Sequence, residues 1–149
     1  MKLERWVLIS EVVGTVAVVA TLVVLITESR RNTQAIRAST YQAVVDSITV
    51  PLDMRASDPE MTRIWGSGMA GDKLGDNDQA RFDAMLLAAV RRFENAYYQY
   101  RLETLDQQQW DVLRGQIRGI VSSPGSKDWW EQSKARFSPD FRRELETVR

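Results

Sequence analysis

The sequence predicts an all-α protein in which one N-terminal transmembrane helix continues into a small helical-bundle domain. An apolar run covers residues 7–26, apolar residues recur at helical spacing along the rest of the chain, and no alternating β-pattern of useful length occurs. These three observations divide the chain into an N-terminal anchor over residues 1–27, a membrane-proximal helical extension over 28–57 and a bundle over 58–149.

The apolar run of residues 7–26 contains one ionisable side chain, Glu11, and no proline. Its length matches a hydrocarbon layer of about 30 Å at a rise of about 1.5 Å per residue. Trp6 precedes the run and Arg30 and Arg31 follow it, so we expect these three side chains to contact lipid head groups. No small-residue cleavage site follows the run, which favours an uncleaved anchor over a signal peptide.

The charges that flank the anchor predict its orientation. Lys2 and Arg5 precede the span, whereas Arg30, Arg31 and Arg37 follow it. Because basic residues concentrate on the cytoplasmic side of a membrane, the excess after the span places the soluble domain in the cytoplasm. We therefore expect a single-pass protein of the inner (cytoplasmic) membrane.

Small residues form a stripe along the predicted membrane helix, at Ser10, Gly14, Ala17 and Thr21. Small side chains let two helix backbones approach closely, and polar groups in lipid usually pair with one another or face protein. Together with the adjacent Glu11, the stripe is a candidate helix-packing face. The alternative is chance, because small residues are common in membrane helices.

Composition excludes several classes of function. The chain has no net charge, no Cys and no His, which removes thiol nucleophiles, Ser-His pairs, disulfides and metal sites built on those ligands. A nucleic-acid-binding protein is expected to carry a basic stripe interleaved with aromatic residues, and the sequence contains none. Asp72, Asp76 and Asp78 lack the spacing of a calcium loop. We expect no enzyme activity, no cofactor, no metal and no nucleic-acid partner.

The extension and the first bundle helix are predicted from local signals. Apolar residues at helical spacing predict that the membrane helix continues through residues 28–50, up to Pro51. Asp58 and Pro59 are a typical N-cap and first helical residue, so a second helix is expected over residues 59–69. The glycines between 66 and 71 are interpreted as the end of this helix and a turn.

The longest soluble helix is predicted to run from Asp76 or Asp78 to about Thr104. Apolar residues recur along it at intervals of three and four, a pattern typical of a helix in a bundle core. This core stripe consists of Phe82, Leu86, Ala89, Phe93, Ala96 and Tyr100.

Three further elements complete the predicted bundle. Asp106 starts a helix whose inner face carries Trp110, Leu113, Ile117 and Ile120 or Val121, and the sequence at 123–125 predicts a turn. A short helix then carries Trp129, Trp130 and Phe137, and Ser138 and Pro139 start the last helix. We interpret the tryptophan pair as core anchors, since adjacent helical residues point about 100° apart and at least one side chain enters the core.

A polar face is predicted on the longest helix, where Arg91, Glu94, Asn95 and Tyr98 lie at spacings of three and four. One interpretation is a pocket in which Arg91 binds an anionic group and Tyr98 donates a hydrogen bond. The alternative, which we favour, is an Arg–Glu pair at a helix crossing, with Tyr and Asn satisfying nearby polar groups.

Three motifs resemble those of a bacterial protein family. They are an R-x-N-T-x-A-x-R-A pattern at residues 30–38, an R-R-F-E-N-x-Y-x-Q-Y pattern at 91–100 and a P-G-x-x-x-W-W pattern at 124–130. In this order they resemble uncharacterised bacterial single-pass membrane proteins. The resemblance implies an N-terminal transmembrane helix with a small all-helical domain, and it implies no activity.

We therefore expect a non-enzymatic, membrane-anchored interaction module that acts as a homo-oligomer or as an accessory subunit of a larger membrane complex. Its expected partners are membrane lipid and either copies of itself or other membrane subunits. Two alternatives stay open. One is a small oligomeric channel or transporter-like assembly with Glu11 near its pore, and the other is a helical domain that senses a ligand through the face around Arg91.

Overall fold

The computed structural model describes residues 2–147 of the chain, with the side chains of Trp6, Glu11 and residues 13–147. Helices account for 86% of the structure and the described residues contain no strand, which confirms the all-α class. The chain divides into two compact units, Met1–Ser39 and Thr40–Arg149.

Helix α1 spans Lys2–Ser57, and its first part makes up the N-terminal unit. Among the described residues it is the one helix long and apolar enough to cross a membrane. Its most apolar 18-residue window has a mean hydropathy of 1.6, and no part of that window is buried. The sequence-based prediction of a long apolar N-terminal helix is therefore confirmed.

The end of α1 differs from the predicted one, because the helix continues through Pro51 to Ser57. A proline inside a helix removes one backbone hydrogen bond and costs about 3 kcal/mol, so other contacts must hold the last turns. The Arg55 carbonyl accepts hydrogen bonds from the Asp58 N–H, at 3.2 Å, and from the Thr62 hydroxyl. The Arg55 guanidinium also lies 4.1 Å from the ring centroid of Trp65.

Helix α2 spans Pro59–Ala70 and begins as predicted. The Asp58 carboxylate accepts hydrogen bonds from the backbone N–H groups of Glu60 and Met61, at 2.9 and 3.2 Å. Gly66 and Gly68 lie inside the helix, within the predicted range 59–69, and the helix ends at Ala70 with Gly71 as its C-cap, in agreement with the predicted helix end and turn. Gly71 has a φ of 84°, a left-handed conformation that glycine adopts without a steric cost.

Helix α3 spans Asp76–Arg101 and ends earlier than predicted, because Glu103 turns into the left-handed region with a φ of 58°. Its buried face also differs in part from the predicted stripe. Tyr97 is buried where Tyr100 was expected, and Tyr100 stacks on Trp110 with the ring centroids 5.9 Å apart. The buried residues of α3 are Phe82, Leu86, Val90, Phe93, Ala96 and Tyr97.

The C-terminal elements are short and begin at the predicted signals. Helix α4 spans Gln107–Val121 and starts with a capping box between Asp106 and Gln109. Helix α5 spans Lys127–Ser133 and continues into a 3₁₀ turn, Lys134–Arg136. Phe137, which was expected in this short helix, instead follows the turn in an extended conformation. Helix α6 spans Pro139–Glu146.

Two hydrophobic clusters form the core of the second unit. The smaller one joins α2 to α3 through Ile64, Phe82 and Leu86. The larger one contains the fully buried Trp110 and the buried Trp130, which confirms that the tryptophan motif supplies a core anchor. Its buried members are Val44, Val90, Phe93, Ala96, Tyr97, Leu105, Trp110, Ile117, Val121, Trp130, Phe137, Phe141 and Leu145.

Candidate functional site

The candidate helix-packing face lies on the exposed first part of α1. The side chains of Glu11, Ala17 and Thr21 are exposed, and a side-chain carbon added to Gly14 would meet no atom within 4 Å. The Thr21 hydroxyl donates a hydrogen bond to the Ala17 carbonyl at 2.9 Å, so its own helix satisfies it. The fifth member, Ser10, has a side chain outside the described residues.

The predicted head-group contacts lie on the same helix. Trp6 exposes 70% of its surface, and the side chains of Arg30 and Arg31 are exposed. No described residue of the N-terminal unit buries these side chains, and their contact with lipid head groups stays a prediction.

The polar face of α3 holds the C-terminal elements in place. Arg91 forms an ion pair with Glu94 at 2.5 Å and donates a hydrogen bond to the Arg136 carbonyl at 2.7 Å. The other oxygen of Glu94 accepts the backbone N–H of Ser138 at 2.7 Å, and the Arg91 guanidinium lies 4.7 Å from the Phe137 ring centroid. The pair therefore fixes the start of α6.

The structure does not bring the other two residues of this face to the Arg91–Glu94 pair. The side chains of Asn95 and Tyr98 are exposed, and Tyr98 keeps 59% of its surface in solvent. The Arg91–Glu94 part of the structural interpretation matches the geometry, because Arg91 is already bound to Glu94 and to a carbonyl. The expected role of Asn95 and Tyr98 in satisfying nearby polar groups does not, since both side chains are exposed.

The second unit contains an apolar cavity of about 610 Å³ that was not predicted from the sequence. Its size falls within the range of about 300–1,000 Å³ that is usual for small-molecule sites. The last turns of α1 form one wall, and α2, α3 and α4 form the others. It is lined by Ile48, Thr49, Pro51, Leu52, Met54, Arg55, Met61, Trp65, Met69, Met85, Ala88, Ala89, Arg92, Phe93, Gln116, Gly119 and Ile120. We call it the methionine cavity.

Methionine and arginine define the chemistry of this cavity. Four of the five methionines in the chain line it, at positions 54, 61, 69 and 85. The only charged residues in its lining are Arg55 and Arg92. Partial burial lowers the pKa of the Arg55 guanidinium below its ordinary value, because the charged form loses hydration.

A second cavity, of about 330 Å³, lies between α1 and α4. It shares Ile48, Thr49 and Gln116 with the methionine cavity. The segment of α1 from Tyr41 to Arg55 therefore borders unfilled apolar space along its length, and Val44 is its one buried residue.

One sequence signal points to the methionine cavity, namely the concentration of methionines in residues 54–85. Methionine is flexible and polarizable, and it is common on surfaces that adapt to different partners. The spacing of these residues along the sequence does not bring them together. Only the packing of α1, α2 and α3 does so.

The described residues contain no group of three or more His, Cys, Asp or Glu side chains placed to hold a metal. No family model matches the chain, and no curated protein and no solved structure matches it either. The fold and site define an all-α protein with a long apolar N-terminal helix and an arginine-flanked apolar cavity. The likeness to bacterial single-pass membrane proteins stays a prediction.

Proposed function

We propose that the protein is a non-enzymatic, membrane-anchored interaction module of the inner membrane, which acts as a homo-oligomer or as an accessory subunit of a larger membrane complex. The observation that carries this proposal is the exposure of the apolar side chains in the first part of α1. Nine large ones between residues 13 and 26 each expose more than half of their surface.

Such exposure is unfavourable in water. Full burial of a Val, Leu or Ile side chain contributes about 1.5–3 kcal/mol, and water-soluble monomers rarely expose apolar patches larger than a few hundred Å². A hydrocarbon layer would bury all sides of this helix at once, whereas a single protein groove would bury one side. The all-round exposure therefore supports a membrane anchor.

The interaction role rests on chemistry at two places. Gly14 and Ala17 lie on the exposed helix and permit close approach of a second helix, and the adjacent carboxylate of Glu11 is costly in lipid without a partner. The sequence also lacks Cys and His, the side chains that most nucleophilic and metal-dependent enzymes use. Binding is the function that these features support best.

The decisive experiment is extraction of the full chain in mild detergent, followed by mass measurement and identification of every component that travels with it. We expect either a homogeneous oligomer of this chain or a stoichiometric larger complex. A monomer without partners would overturn the interaction role, and recovery of the untreated protein in the soluble fraction would overturn the anchor.

A matched pair of variants tests the packing face itself. Gly14→Leu places a large side chain in the small-residue stripe, whereas Val16→Leu changes an exposed position on the opposite side of the helix. We expect Gly14→Leu to dissociate the assembly and Val16→Leu to leave it intact. Equal assembly of both variants would contradict the proposed face.

A further inference from the structure

The methionine cavity combines an apolar lining with positively charged side chains. Met61, Met69 and Met85 are half-buried side chains that rearrange at low cost, and Trp65 and Phe93 add aromatic surface. Because these side chains can rearrange, such a lining can accommodate a flexible hydrocarbon chain in more than one conformation.

The polar groups of the cavity favour a negatively charged ligand. Arg55 and Arg92 line it, and no acidic residue does. Within the part of the chain that the structure describes, neither guanidinium forms a salt bridge. Arg55 instead stacks over Trp65 at 4.1 Å, which holds its charge at the edge of the apolar space.

We propose that the methionine cavity binds an anionic amphiphile with a single acyl chain, such as a fatty acid or a lysophospholipid. The chain lies among the methionines, and the head group is held by Arg55 and Arg92. A partner's amphipathic helix is the other occupant that methionine-rich grooves accept. The volume favours the amphiphile, because a helix is about 10–12 Å in diameter with its side chains and the cavity has the size of a small-molecule site.

A helix residue in the wall offers a direct test. A side-chain carbon added to Gly119 would meet no atom within 4 Å, and Gly119 lines the cavity, so we expect the ring of Gly119→Phe to occupy part of it. Gly115 lies one turn earlier on α4, is equally open at its Cβ position and lines neither cavity. Gly115→Phe is therefore the matched control.

The experiment uses the full chain in nanodiscs of zwitterionic phosphatidylcholine. The probe is a palmitate analogue with a photoreactive group in its chain, and mass spectrometry locates the cross-links. We expect cross-links on peptides that carry Met61 and Met85, reduced about tenfold in Gly119→Phe and unchanged in Gly115→Phe. Equal labelling in both variants, or labelling confined to residues 7–26, would overturn the proposal.

Competition tests the charge independently of the glycine variants. We expect palmitate and lysophosphatidic acid to displace the probe and hexadecanol to displace it poorly. The acid that displaces the probe at the lower concentration identifies the preferred head group, which is a carboxylate for palmitate and a phosphate for lysophosphatidic acid. In the Arg55→Gln/Arg92→Gln variant, the preference for acids over the alcohol should disappear. Equal competition by the alcohol in the unaltered protein, or occupation of the cavity by a co-purified polypeptide, would overturn the proposal.

Discussion

Gly125 lies directly against Gly68, so closely that a side-chain carbon added to Gly125 would lie 1.5 Å from the Gly68 carbonyl oxygen. The Gly125 N–H donates a hydrogen bond to the Met69 carbonyl at 3.2 Å. The turn between α4 and α5 therefore packs backbone against backbone on the end of α2. Only glycine at position 125 permits this contact.

Gly125→Ala should destabilise the bundle, because a Cβ atom cannot share the position of a carbonyl oxygen and the two backbones must separate. Overpacking of a well-packed site costs about 1–3 kcal/mol, and we expect a value near the upper end because backbone is the obstacle. Thermal unfolding followed by circular dichroism measures the effect. Gly115→Ala, in open space on α4, serves as the control and should be neutral or slightly stabilising.

The two helical glycines of α2 should respond in opposite ways. A Cβ atom on Gly68 would lie 2.5 Å from the Phe82 ring, whereas one on Gly66 would meet nothing within 4 Å. We expect Gly68→Ala to destabilise by about 1–3 kcal/mol and Gly66→Ala to stabilise by up to about 1 kcal/mol. Chemical unfolding of both variants measures the difference, and equal stabilities would contradict the described packing.

The Arg91–Glu94 pair should behave as a structural clamp. Arg91→Ala removes the hydrogen bond to the Arg136 carbonyl and the stacking on Phe137, and the half-exposed position of Arg91 limits the loss to about 1 kcal/mol. Arg81→Ala, at an exposed position of the same helix, should change the unfolding free energy by less than about 0.5 kcal/mol. A ligand whose affinity falls in Arg91→Ala at unchanged stability would favour the sensing alternative.

Local signals predicted where most helices begin. Asp58 and Asp106 cap the helices that follow them through hydrogen bonds to backbone N–H groups, and Pro139 fixes the first turn of α6. These effects act within three or four residues, so the sequence alone contains them. The apolar run of residues 7–26 could also be recognised from the sequence alone, because its length depends only on consecutive residues.

The features that the sequence analysis missed depend on contacts between distant residues. Pro51 stays helical because the last turn of α1 is held by groups at positions 58, 62 and 65. Tyr97 is buried rather than Tyr100 because the Tyr97 ring packs against both Trp110 and Phe141, whereas Tyr100 packs against Trp110 without reaching Phe141. The methionine cavity exists only once four helices surround it, and no local pattern encodes that arrangement.

Acid should weaken the ion pair that Glu60 forms with Arg63 within α2. Hydrogen bonds from Arg63 to Glu60, at 2.7 and 2.9 Å, lower the pKa of the Glu60 carboxyl below its ordinary value, and the same guanidinium binds Asp78 on α3 at 2.6 Å. A lowered folded-state pKa means that the pair stabilises above the unfolded pKa and that this contribution is lost as pH falls through the folded pKa.

The comparison of wild type with Glu60→Gln measures how much the ionised Glu60 carboxylate contributes to stability. The difference in Tm between them should be present at about pH 7, where the carboxyl is ionised, and should shrink as the pH falls through the lowered folded-state pKa of Glu60. The difference should also shrink at high salt, since the pair is exposed. A Tm difference that stays constant across this range would show that the ionised pair contributes nothing.

Orientation of the proposed membrane anchor can be tested because the chain has no native cysteine. In Asp128→Cys the new thiol is the only one, at an exposed position of α5. If the bundle is cytoplasmic, a membrane-impermeant maleimide should label it in inverted vesicles and leave it unlabelled in intact bacterial cells. Labelling in intact cells would reverse the proposed orientation.

The charge balance predicts how this orientation can be changed. Lys2 and Arg5 precede the span and Arg30, Arg31 and Arg37 follow it, so the bias towards a cytoplasmic bundle is small. Arg30→Asn/Arg31→Asn leaves one basic residue after the span and should move part of the population to the opposite orientation. The Asp128→Cys thiol should then become labelled in intact cells, whereas the same two substitutions made as Arg→Lys should leave it protected.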